Sequence, residues 1–135
     1  MQRLLSVVVL IAAGLGGCAG PRPPTNGEIE ACRDVQKTLN SADDTFVARV
    51  KEIRSQHILV VEYDREMIAA LTAYRDVMRG LLYDDETSPG SQWRCTGAPL
   101  SDLKLAEEPK LERVQRFLGT FERAVREDPS DVYVP

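Results

Sequence analysis

One histidine, His57, and one tryptophan, Trp93, occur in 135 residues, and aromatic side chains make up only 6% of the chain. Zinc needs about four clustered ligands. With one histidine such a site would have to draw on the cysteines, and neither CxxC nor HxxxH spacing occurs. Ser55, His57 and Asp64 supply the residue types of a catalytic triad, but no nucleophile elbow or oxyanion device accompanies them, so they read as turn and helix residues. Gly90 and Gly97 stand alone, and no glycine loop that would cradle a phosphate is present.

Acidic clusters occur at Asp43-Asp44, Glu62-Asp64-Glu66, Asp84-Asp85-Glu86 and Glu107-Glu108. A glycosidase would need two carboxyl groups facing each other, one with a raised pKa. A calcium loop would need regularly spaced ligands and a central glycine. The clusters read instead as solvated helix faces and caps. The sequence therefore assigns no catalytic residue, no metal ligand and no cofactor.

Long apolar runs are also scarce. The longest, Leu4 to Ala13, follows the single basic residue Arg3 and precedes small residues. It is roughly half the ~20 residues that a membrane-spanning helix requires. A charged start, an apolar middle and small residues at the end form the layout of a secretory signal, here residues 1–17. The signal ends in Leu15-Gly16-Gly17-Cys18, and this tetrad resembles the lipobox of bacterial lipoproteins: a Leu three residues before an obligatory Cys, with small residues between.

The resemblance implies that Cys18 is diacylated on sulfur, that cleavage falls before it, and that its new amino group is acylated. Ala19, which is not Asp, implies sorting to the outer membrane in two-membrane bacteria. One acyl chain binds a bilayer only marginally, whereas two or three anchor it securely. Residues 18–26 would then be a lipidated cysteine and a tether. Gly20-Pro21-Arg22-Pro23-Pro24 favours extended polyproline geometry, which at ~3.1 Å per residue holds a domain roughly 15 to 20 Å off the membrane.

With Cys18 given to lipid, two cysteines remain. Cys32 and Cys95 are the expected disulfide in an exported chain. Cleavage removes Arg3 from 17 basic side chains set against 21 acidic ones, moving the net charge from −4 to about −5. That balance disfavours nucleic acid as a partner.

Glycine and proline are missing from Glu28 to Arg79. Thr25-Asn26-Gly27-Glu28 before that stretch has the spacing of a capping box. Ile29, Cys32, Leu39, Phe46, Val50, Ile53, Val60, Met67, Leu71, Tyr74, Met78 and Leu81 recur on three- and four-residue steps, as in the seam of packed helices. Gln36, Asp43, His57 and Asp64 interrupt that seam. The β-branched run from His57 to Tyr63 would make a lone strand without a partner, so helix is preferred.

A single rod would place Cys32 about 70 Å from Arg79. The 16 residues from Arg79 to Cys95 reach at most about 55 Å. A Cys32–Cys95 bridge thus requires the helix to fold back. A break near 41–44 has good capping residues but unequal arms. One near 55–57 gives arms of similar length and returns the second to Cys32.

The expected fold is all-α, a helical hairpin plus a third packed helix stapled by one disulfide. The helices are expected at about 27–54, 58–80 and 107–126 within a domain spanning 27–128, followed by a loose tail at 129–135. Gly80 should close the second helix. An irregular loop holding Pro89, Gly90, Gly97 and Pro99 should follow, with Trp93 covering the bridge. Pro109 should sit in the first turn of the third helix, whose apolar face is Leu111, Val114, Phe117, Leu118, Phe121 and Val125. Asp128-Pro129 should end it.

Tyr63, Tyr74 and Tyr83 recur along the second arm and form a candidate partner surface, since tyrosine is favoured at interfaces. The functional expectation is a non-enzymatic outer-membrane lipoprotein, facing the periplasm and binding a protein partner or assisting assembly. An immunity or exclusion protein is a narrower version, and a cell-wall-active enzyme is the alternative from another class.

Overall fold

A computed structural model describes residues 22–83 and 95–127. They form three helices and no strand: α1 (Asn26–Ser55), α2 (Val60–Tyr83) and α3 (Gly97–Glu127). The signal, Cys18, Trp93, the acidic cluster at 84–86 and the tail at 129–135 lie outside the described residues.

Thr25 caps α1 through the expected box. Its hydroxyl accepts from the Glu28 backbone N–H at 3.2 Å, and the Glu28 carboxylate accepts from the Thr25 N–H at 2.9 Å. Two of the otherwise orphaned N–H groups of the first turn are thereby satisfied. α1 runs unbroken through residues 41–44 and ends where Gln56 turns extended. The hairpin turn occupies Gln56 to Leu59, and the Leu59 N–H donates to the Glu62 carboxylate at 3.3 Å as α2 begins.

The disulfide joins Cys32 to Cys95, and both residues are buried. This bridge and the pairing of Asp43 with Lys110 show that α1 and α3 run in the same direction. Arg49 with Glu66, and Tyr83 with Glu108, show that α2 runs opposite to both. α2 packs most extensively on α3 and then on α1, while α1 and α3 touch each other least.

Two helix boundaries differ from the sequence expectation. α2 passes through Gly80 to Tyr83 because Leu82, 2% exposed, joins the main core. An interior glycine costs about 1 kcal/mol relative to alanine, and burying a leucine outweighs that. The other correction is larger: α3 starts at Gly97, ten residues before the expected 107. Pro99 falls in its first turn, where a missing N–H costs nothing. Gly97 adopts a positive φ of 66°, a conformation that glycine tolerates.

Leu100 and Leu103 then pack on the core. Pro109 consequently lies inside the helix instead of in its first turn. The seam of α3 continues through Glu107, Leu111, Val114 and Leu118, so its one charged member hid the first ten residues of the helix. Val35 and Leu82 are also fully packed core residues beyond those on the expected seam, while Ile29 is 39% exposed.

Candidate functional site

Four polar side chains from all three helices meet in the middle of the bundle. Asp43 of α1 accepts a hydrogen bond from the Tyr74 hydroxyl of α2 and another, at 2.9 Å, from the Lys110 ammonium of α3. Lys110 also lies 2.9 Å from Glu107 Oε2, and among the described residues no other donor reaches that buried oxygen. The interruption at Asp43 in the α1 seam is thus matched by a basic residue that the sequence pattern did not single out. Lys110 lies three residues beyond Glu107, a spacing that places two side chains on one helix face.

Burial and its bond to Asp43 push the Tyr74 hydroxyl pKa well up, so it remains a donor. Burial pulls the Lys110 pKa down, but hydrogen bonds to Asp43 and Glu107 outweigh this and leave it raised. The layer therefore keeps a cation and a phenolic donor facing its two acidic side chains.

Beyond this layer, toward the end of α1, lies an open groove of about 450 Å³. Its α1 wall is Phe46, Val47, Val50 and Arg54; its floor is Tyr63, Met67, Leu71 and Tyr74 of α2. Lys110, Arg113, Val114, Phe117 and Phe121 of α3 form the facing wall, and Asp43 closes one end. The lining runs from Asp43 to Arg54 on one wall and from Lys110 to Phe121 on the other. Each span is about three helical turns, or roughly 16 Å at the rise of an α-helix.

The groove exists because α1 and α3 carry apolar stripes wider than α2 covers. Phe46 stacks on Tyr74 at a ring separation of 4.8 Å, and Phe121 meets Tyr63 edge-on at 6.3 Å. Val47, the neighbour of Phe46, and Phe117, one turn before Phe121, are left 49% and 56% exposed on the two rims. Three apolar surfaces thus converge on a cleft that none of them fills.

The three tyrosines form no continuous exposed strip. Tyr74 is buried and Tyr63 half-buried, both in the groove. Tyr83 stands apart, its hydroxyl donating to Glu108 at 2.7 Å and the Lys104 ammonium 4.9 Å from its ring centre. Burial, with the Glu108 bond, pushes its pKa up to about 12.

Two other carboxylates of the acidic clusters are used locally. Glu66 pairs with Arg49 across the hairpin, and Glu62 caps α2. Asp64 is 8% exposed, and burial raises its pKa. His57 lies in the exposed hairpin turn. Among the described residues, no three or more His, Cys, Asp or Glu side chains are placed to hold a metal ion. No helix among them is long and apolar enough to cross a membrane.

A second, smaller groove of about 340 Å³ lies between α1 and α2, lined by small residues such as Ala42, Ala70 and Ala73. Compared with known protein families, with curated proteins and with solved structures, the chain matches none.

Proposed function

We propose that this chain is a non-enzymatic lipoprotein, anchored to the outer membrane through acyl groups on Cys18 and facing the periplasm, where it binds a protein partner. The observation that carries the binding half is the three-turn apolar groove between α1 and α3, with Val47 and Phe117 exposed on its rims. Exposed apolar side chains scattered singly are ordinary, but a contiguous cleft lined by aromatics is the kind of surface partners use. The anchoring half rests on the tetrad Leu15-Gly16-Gly17-Cys18, on Ala19 and on the proline-rich tether.

The groove-lining chemistry favours binding over catalysis. Asp43, the one carboxylate on its lining among the described residues, is occupied by Tyr74 and Lys110. Affinity capture with the lipidated protein under mild crosslinking should recover a stoichiometric protein partner, lost when Val47 and Phe117 are both changed to Asp. Failure to recover any partner, or formation of new products from peptidoglycan by the purified protein, would overturn the reading.

A further inference from the structure

Charge around the groove is opposite in sign to the chain as a whole. The chain carries a formal net charge of −4, yet among the described residues the groove lining holds Arg54, Lys110 and Arg113 against Asp43 alone. Lys110 is already engaged, 2.9 Å from both Asp43 and Glu107. Arg54 and Arg113 have no carboxylate partner among the described residues.

These two guanidinium groups stand on opposite walls. Lys110 is level with Asp43, so Arg113 lies three residues and Arg54 eleven residues along the groove from that level. The offset of eight residues places them about 12 Å apart along the bundle axis. Between them the lining is apolar: Val47, Val50, Met67, Val114, Phe117 and Phe121.

From this arrangement we infer that the groove takes an acidic amphipathic helix of a partner protein, laid along α1 and α3 as a fourth helix of the bundle. The inference rests on the proposed protein-binding role and specifies the chemistry of the bound segment. The walls are helices with their backbone groups already paired, so they offer no edge for an extended strand. A helix arrives with its own backbone satisfied. It fills a three-turn apolar cleft with anchors at i, i+3, i+4 and i+7.

Two carboxylates about eight residues apart on that helix face Arg113 and Arg54. A fatty acid, with one anionic head, matches only one end. Because both arginines lie on an exposed rim, their contribution goes chiefly to specificity and association rate.

The test uses the full lipidated chain on zwitterionic phosphatidylcholine vesicles. The probes are three fluorescent 15-residue amphipathic peptides that share Leu anchors and carry Glu, Gln or Lys at two positions eight apart. Fluorescence anisotropy should show saturable binding of the Glu peptide at least tenfold tighter than the Gln peptide, equivalent to about 1.4 kcal/mol. The Lys peptide should bind weakest. The double variant R54E/R113E should reverse the order of the Glu and Lys peptides, and that gain also shows that the variant is folded.

Equal binding of the Glu and Gln peptides, or no saturable binding below about 1 mM, would overturn the inference. Binding of palmitate in place of the Glu peptide would do the same. Capture of a partner through Val47 and Phe117 without any acidic preference would remove this inference and leave the broader protein-binding role standing.

Discussion

Asp64 is a carboxylate placed where a hydrophobic residue would pack, and burial raises its pKa. The folded state therefore favours the protonated acid. Stability is fully present below the ordinary carboxylate pKa near 4 and is lost as pH rises through the elevated value. Asp64→Asn removes the charge at constant shape and should raise stability at pH 7 by on the order of 1 kcal/mol. At pH 3 the two proteins should unfold at the same urea concentration. A different residue-scale cost attaches to the mid-bundle layer. Tyr74→Phe deletes one hydrogen bond and leaves Asp43 still paired to Lys110, a loss of about 1 kcal/mol. Lys110→Met leaves Glu107 buried and Asp43 without its cation. The lysine side chain is 31% exposed, so the change should cost less than breaking a fully buried pair, about 2 kcal/mol. Urea midpoints at pH 7 check both.

At the scale of helices, the disulfide holds the hairpin and α3 together at one end. Cys32 and Cys95 are 63 residues apart. Closing a loop of that length stabilises a fold by roughly 4 kcal/mol in the chain-entropy model. Replacing both cysteines with Ser should lower the thermal midpoint by more than ten degrees on the usual scaling of about 4–8 °C per kcal/mol for a small domain, read by circular dichroism. Pro109 acts in the other direction. Inside α3 it removes the N–H that would bond to the Leu105 carbonyl. Leu105 itself is 72% exposed. Pro109→Ala should therefore raise stability by about 1–3 kcal/mol without changing the packed face.

The hairpin was legible in the sequence because distance constrained it: a rod cannot satisfy a bridge from Cys32 to Cys95. Of the two candidate breaks, the one near 55–57 gives arms of similar length. The capping residues at 41–44 leave the alternative open until the packed helices show α1 unbroken there. The start of α3 was not legible, for two physical reasons. Gly97 and Pro99 are usually loop residues, but at a helix N-terminus both are tolerated. Glu107 breaks the apolar rhythm just where a helix start would also place an acid, and only Lys110 three residues later explains its burial. The groove was partly legible. Tyr63 and Tyr74, two of the tyrosines that recur along the second arm, line it, but the wall residues Val47 and Phe117 belong to stripes whose width becomes evident only when three helices are packed.

For the molecule as a whole, the proposed role needs two independent attachments. Lipid on Cys18 would hold the chain at the membrane. The groove, on the bundle beyond the tether, would hold the partner. Replacing residues 1–18 with a conventional cleavable secretory signal that leaves no cysteine should release the protein from the membrane fraction into the soluble periplasmic fraction, followed by immunoblotting, while its circular dichroism spectrum stays the same. The groove is tested most directly by placing a benzophenone photocrosslinking residue at position 47, 112 or 117 in intact cells. Val47 and Phe117 line or rim the groove, whereas Glu112 is exposed and does not line it. The expected result is one protein adduct of the same size from positions 47 and 117 and none from 112. Absence of an adduct at 47 and 117, or an equal yield from 112, would contradict the assignment of the groove as the partner site.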